Sequence, residues 1–192
     1  LYNLVGYGLA LGGVSGFNLA SSKVVAHPLL YLAAFGSSLL FTAIPEELVF
    51  RAYLQSKVVA LVEGSNRRAV TIGVSIVAIL FGLFHLPRWF LMSGHGVSPA
   101  LASRLLGLTV AGLSFGLVYV LTRNFWLVAL LHATMNQPPV LFTMRVPAGL
   151  HLFVGVVEYA AMVLLVLVAV YVTEPGGITV TPPRQEASSA ID

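Results

Sequence analysis

The fold is decided by the stretch Pro45-Glu46-Glu47-Leu48-Val49-Phe50-Arg51, which places two carboxylates and a guanidinium in an otherwise apolar run. Only 9% of the residues are charged, whereas the share in an ordinary soluble domain is roughly 25%. Charges at bilayer depth are costly unless they face a cavity or a partner. The cluster therefore indicates either a solvated helix end beside a membrane span or a functional polar site.

The composition is typical of a membrane protein. Of the 192 residues, 58% are hydrophobic, and the mean hydropathy is +0.93, so the chain is too apolar to form one water-soluble globule. We therefore predict an all-α fold, a polytopic transmembrane helix bundle that is integral to the lipid bilayer and multi-pass. The chain has no cysteine, which excludes disulfides, thiol catalysis and Cys-bound zinc. Its net charge of +3 is dispersed, which argues against a nucleic-acid partner.

Hydrophobic runs predict about five to six spans, because a spanning helix needs about 20 mostly apolar residues. The runs are residues 1–20, 29–44 with a continuation to about 62, 69–84, 101–122, 125–142 and 148–173, of which the first is Gly-rich and weak. Pro45 is expected to begin a helix, since proline suits a first helical turn, where the carboxylates would meet the positive end of the helix dipole. Small residues at Gly107, Ala111, Gly112 and Gly116 favour close helix packing. Residues 1–173 are predicted to form a single domain, and 174–192 a polar, disordered tail.

Basic residues predict the orientation of the bundle. If every run spans, one side carries Lys57, Arg67, Arg68, Arg123 and Arg184, and the other carries Lys23, Arg88, Arg104 and Arg145. The first side is the expected cytoplasmic side, and Arg88 and Trp89 are expected to anchor an interface. Because the chain begins with Leu1 rather than Met, a processed or truncated N terminus is one interpretation.

Residue pairs that contain at least one polar side chain recur at a spacing of four on three of the predicted helices, which places the two members of each pair on one helical face. The pairs are Glu47 with Arg51, Phe81 with His85, and His132 with Asn136. A single membrane histidine often only bonds a neighbouring backbone group. Three such faces together predict one shared polar cavity. Pro87, and the run Gln137-Pro138-Pro139, are expected to end or distort the helices just past the histidines.

The residue types in this cavity suit hydrolysis of an amide. A carboxylate and an imidazole beside one water supply a general base and a proton carrier, while an imidazole and a carboxamide can stabilise an oxyanion. A zinc ion held by His85, His132 and a glutamate is an alternative, although there is no HExxH motif. A paired-aspartate protease is excluded because Asp192 is the only aspartate. The segment Gly13-Val14-Ser15-Gly16 has the GxSG form of a rhomboid serine nucleophile, but in a Gly-rich run it indicates packing.

The ordered motifs resemble a known family, the CAAX prenyl protease and bacteriocin-processing proteins called CPBP or ABI. Glu46-Glu47-x-x-x-Arg51, Phe81-x-x-x-His85 and His132-x-x-x-Asn136 match its EExxxR, FxxxH and HxxxN motifs over residues of about 40–140. The resemblance implies that Glu46 with His85 activates water and that His132 and Asn136 bind the oxyanion. It also favours metal-independent catalysis, with no cofactor, over zinc. Glu47 is expected to pair with Arg51.

The resulting hypothesis is an intramembrane endopeptidase that acts on a membrane-embedded or lipidated peptide or protein, with a prenylated C-terminal tail as one candidate substrate. One alternative is a non-catalytic immunity or scaffold protein of the same fold. Another is a proton-coupled transporter, in which Glu158 of the last span would matter as much as Glu46. The sequence assigns Glu158 no other role.

Overall fold

The computed structural model describes residues 2–13, 16–18, 23–62, 67–141 and 143–173. Within them the chain forms seven helices: α1 (Tyr2–Leu11), α2 (Lys23–Ala26), α3 (Pro28–Leu61), α4 (Arg67–Met92), α5 (Pro99–Thr122), α6 (Phe125–Asn136) and α7 (His151–Thr173). A short turn of 3₁₀ helix, Ala148–Leu150, leads into α7. Two three-residue strands, β1 (Gly16–Asn18) and β2 (Thr143–Arg145), pair antiparallel with Gly16 opposite Arg145. The predicted all-α class is confirmed.

Four of these helices, α3, α4, α5 and α7, are long and apolar enough to cross a membrane. The shortest of them has 23 residues, which at about 1.5 Å per residue exceeds the roughly 30 Å of bilayer hydrocarbon. Large apolar side chains such as Leu29, Phe41 and Leu91 are exposed on the outside of the bundle. In water such a surface would be unfavourable, but it suits lipid. The protein is an integral, multi-pass membrane protein.

Two of the predicted spans form shorter helices than expected. The run 125–142 is helical only over the 12 residues of α6, about 18 Å, because Pro138 and Pro139 follow. Within the run 1–20, α1 covers 10 residues and is followed by Gly12 and Gly13, the second with a positive φ of 73°. A helix stops readily at such a glycine.

Helix α3 runs through Pro45 instead of beginning there, which corrects the prediction for this proline. The chain is π-helical over Leu39–Ala43, just before Pro45, and again over Leu48–Gln55. The N–H of Ile44 donates to the carbonyl of Leu39, five residues back, and this wider turn relieves the clash that a proline ring makes in a regular α-helix. Glu46 and Glu47 consequently lie in the middle of a long helix and not at its positive end.

The core lies where α3, α4, α5 and α7 meet. Phe50, Phe81 and Phe115 are buried there with Met162. Gly112 allows α5 to approach α4, since a Cβ atom at this glycine would lie 2.9 Å from Cα of Ala78. The predicted close packing at small residues is therefore confirmed at Gly112.

Candidate active site

One polar cavity of about 640 Å³ opens between α3, α4, α5, α6 and α7. Four residues that the sequence predicted as a site line it together: Glu46, His85, His132 and Asn136. These residues belong to α3, α4 and α6, so side chains up to 90 positions apart in the sequence line the same cavity. The expected shared cavity is present.

Glu47 and Arg51 lie behind this cavity, in the protein interior. Both side chains have 0% exposure, and Arg51 Nε lies 2.9 Å from Glu47 Oε2. The guanidinium carbon of Arg51 is 5.1 Å from the ring centre of Phe81 and 6.0 Å from that of Phe115. Its two terminal nitrogens have no hydrogen-bond partner among the described residues. Aromatic faces and one carboxylate therefore stabilise this buried cation.

His132 connects the buried ion pair with the cavity. Its Nδ1 lies 2.7 Å from Glu47 Oε1, and its Nε2 lies 3.8 Å from Glu46 Oε2. Because a carboxylate accepts hydrogen bonds, we assign the proton of this contact to Nδ1, so that Nε2 faces the cavity. The imidazole also stacks on Phe115, with ring centres 4.7 Å apart. The contacts with Glu47 and Phe115 thereby fix the orientation of the His132 imidazole.

His85 follows directly on the regular part of α4. The α-helical segment ends at Phe84, and a π-helical turn, Arg88–Met92, follows Pro87, so the predicted distortion at Pro87 is confirmed. His85 Nδ1 lies 2.8 Å from the backbone carbonyl of Phe81. A carbonyl only accepts, so Nδ1 carries the proton and Nε2 has a free lone pair. That lone pair can accept a proton from a water in the cavity.

Asn136 is the last residue of α6, whose start and end are both fixed by side-chain hydrogen bonds. At the start, Asn124 Oδ1 accepts from the N–H of Leu127. At the end, Tyr31 Oη donates to the carbonyl of Gln137 at 3.0 Å. Just beyond, Asn3 Nδ2 donates to the carbonyl of Pro139 at 3.1 Å, and Asn3 Oδ1 accepts from the N–H of Leu141 at 2.9 Å. Sequence reasoning missed Tyr31 and Asn3, because single polar residues far from a motif give no pattern.

Other cavity residues were also missed. Arg88, Arg104, Phe115 and Tyr159 line the same cavity, whereas the sequence predicted only an interface or loop role for the two arginines. The sequence did contain one indication of a functional role for the two arginines. Few residues of this chain are charged, so each arginine is unusual. Glu158 is not among the described residues that line the cavity. It is half-buried on α7.

Two sequence interpretations concern residues that the structure does not describe. Val14 and Ser15 of the GxSG segment, and the predicted tail 174–192, lie outside the described residues. Within the described part of the chain, no three His, Asp or Glu side chains are grouped so that they could hold one metal ion.

Comparison with known proteins identifies the family. The family model described as Type II CAAX prenyl endopeptidase Rce1-like matches residues 28–137, which include all six predicted site residues. No curated protein and no solved structure matches the chain. The match covers more than half of the sequence and agrees with the resemblance carried by the three motifs. The chain therefore belongs to the Rce1-like family of type II CAAX prenyl endopeptidases.

Proposed function

We propose that this protein is an intramembrane endopeptidase that hydrolyses a peptide bond of a membrane-associated substrate with a water molecule activated by Glu46 and His85. The observation that carries the proposal is that Glu46, His85, His132 and Asn136 line one cavity. Family membership supports the same reaction class. A prenylated C-terminal tail is the first substrate to test, because the family description refers to prenyl endopeptidases.

Glu46 acts as the general base. Its side chain is 17% exposed and lines the cavity, so the carboxylate can accept a hydrogen bond from a water held there. The water gives a proton to Glu46 while its oxygen attacks the carbonyl carbon of the scissile bond. His85 Nε2 can bond the second hydrogen of the same water, which orients it. The proton then passes from Glu46 to the departing amine.

His132 and Asn136 stabilise the oxyanion that forms on the carbonyl oxygen. The carboxamide of Asn136 donates through Nδ2, and His132 donates through Nε2 when the ring is an imidazolium. Glu47 supports that charged form because its carboxylate accepts from Nδ1 at 2.7 Å. Glu47 is therefore a positioning residue, which acts through His132.

No step in this mechanism uses a metal ion. The first imidazole nitrogen of each histidine is already bonded, His85 to a carbonyl and His132 to a carboxylate, and the two remaining Nε2 atoms have roles toward water and oxyanion. Zinc held by the histidines and a glutamate is the competing proposal, and it is tested by metal content and chelation.

The direct experiment uses the detergent-purified protein and two pools of membrane-anchored peptides, one with farnesylated C-terminal tails and one with N-terminal palmitoyl chains. Products are identified by mass spectrometry. We expect cleavage by the wild type and none by Glu46→Gln. The matched control is Glu158→Gln, which removes another intramembrane carboxylate outside the cavity and should keep full activity.

Three outcomes would reject the proposal. Cleavage that survives Glu46→Gln excludes Glu46 as the base. Tight binding of both pools without any cleavage favours the scaffold hypothesis. Proton-coupled uptake in reconstituted vesicles that is lost in Glu158→Gln favours the transporter.

A further inference from the structure

Two arginines line the cavity at a position that the proposed mechanism does not use. Arg88 begins the π-helical turn Arg88–Met92, and Arg104 lies in the second turn of α5. Both line the cavity of Glu46, and both also line a smaller cavity of about 280 Å³ that contains His85 and His95. The two arginines therefore border both the catalytic cavity and this smaller, outer cavity.

Neither arginine has an anionic partner in the described part of the chain. The ion pairs there involve Arg51 and His132, with Glu46 and Glu47. Glu158, the remaining described carboxylate, is not among the residues that line either cavity. Arg88 and Arg104 are both exposed. Two unpaired guanidinium groups at one place form a site for an anion, and planar guanidinium binds carboxylate in a bidentate manner.

Packed residues form one wall of the smaller, outer cavity. Trp89 stacks on His95 with ring centres 4.5 Å apart, and Trp89 Nε1 donates to the carbonyl of Gly96 at 3.0 Å. The loop after α4 is thus folded back against Trp89, the residue that follows Arg88. This wall limits the directions from which an anion can reach the two arginines.

We infer that Arg88 and Arg104 bind the free C-terminal carboxylate of the peptide that is cleaved. The inference rests on the proposed function. Glu46 repels a substrate carboxylate from the catalytic end of the cavity, while the arginines attract it to the other end. The substrate peptide is then bound in only one chain direction. Its scissile bond lies beside Glu46, and its C terminus lies at the two arginines. The site accordingly selects substrates with an unblocked C terminus.

The test uses palmitoylated peptides of random sequence, prepared once with C-terminal acids and once with C-terminal amides. We expect the wild type to cleave the acid pool at least about tenfold faster than the amide pool, the effect of one charge-assisted hydrogen bond. Arg88→Gln and Arg104→Gln should each lower kcat/KM on acids by about tenfold, so that the preference for acids over amides is lost. Cleavage of the amide pool by each variant shows that the variant is folded. Arg68→Gln, an exposed arginine outside both cavities, is the matched control and should keep the acid preference.

A binding measurement separates this inference from the proposed function. In a Glu46→Gln background, acid peptides should bind more tightly than amides, and Arg104→Gln should remove the difference. Acid-selective binding without cleavage by the wild type would reject the peptidase and keep the anion site. Equal cleavage of acids and amides by the wild type would overturn the anion site and keep the peptidase. Equal losses on both pools, together with a rate that follows the phosphatidylglycerol content of vesicles, would assign the arginines to a lipid phosphate and overturn the inference.

Discussion

His132 Nδ1 lies 2.7 Å from Glu47 Oε1, and this contact joins α6 to α3 directly behind the cavity. The other oxygen of the same carboxylate lies 2.9 Å from Arg51 Nε. Two adjacent glutamates consequently have different environments. Glu46 faces the cavity, whereas Glu47 has 0% exposure and binds two partners.

The first prediction is that replacing Glu47 destabilises the protein, whereas replacing Glu46 does not. Glu47→Gln leaves the buried Arg51 without a counter-charge, which should lower the free energy of unfolding by about 3–5 kcal/mol. Glu46→Gln removes no short ion pair and should leave the melting temperature in detergent nearly unchanged while it abolishes cleavage. Thermal unfolding and peptide cleavage, measured on both variants, check the prediction.

The control for this prediction removes both members of the buried pair. In Glu47→Leu with Arg51→Met no unpaired charge remains, so the melting temperature should recover relative to Glu47→Gln alone, while turnover stays low because His132 has lost its partner. A double variant as unstable as Glu47→Gln would show that the ion pair is not the source of the stability.

The second prediction concerns the oxyanion donors. His132→Ala and Asn136→Ala should each lower kcat by about 10²–10³ and change KM little, because both groups act on charge that develops in the transition state. Chelators should have little effect on the wild type. Near-stoichiometric zinc in the purified protein, loss of activity on chelation and recovery with added zinc would instead make His132 a metal ligand. In that case Asn136→Ala would be much the milder variant.

Helix periodicity predicted which motif residues share a helical face, because two groups four positions apart must do so whatever surrounds the helix. It could not show that α3 continues through Pro45, since the π-helical turn that accommodates the proline depends on packing against other helices. Apolar composition also overestimated the length of α6, because the apolar run continues past Asn136 although the helix ends there. The contacts of Asn3 with residues 139 and 141 join segments about 140 positions apart. No local pattern can predict such a pairing from one sequence.

The third prediction tests the close approach of α4 and α5. A Cβ atom at Gly112 would lie 2.9 Å from Cα of Ala78, which is backbone and cannot rotate away. Gly112→Ala should therefore lower the free energy of unfolding by about 1–3 kcal/mol. Gly107→Ala is the control on the same helix, since its new methyl group would be 3.6 Å from Leu152 Cδ1, an ordinary contact. Equal melting temperatures for the two variants would contradict this account.

The last prediction is that Asn3 acts on catalysis from outside the residues matched by the family. Its carboxamide makes two hydrogen bonds to the segment after Asn136, to the carbonyl of Pro139 and the N–H of Leu141. Asn3→Ala should release this segment and displace Asn136, which lowers kcat by about tenfold, as expected for two lost hydrogen bonds. Leu4→Ala, an exposed neighbour on α1, should leave kcat unchanged.

A double-variant measurement decides whether the effect of Asn3 passes through Asn136. If Asn3 only positions Asn136, then Asn3→Ala should have no further effect on kcat in an Asn136→Ala background. Independent, multiplying losses would show that Asn3 acts by another route, such as the general stability of α1. Because Asn3 on α1 bonds residues 139 and 141, which follow Asn136 closely in the chain, coupling between Asn3 and Asn136 would show that α1 is part of the working enzyme.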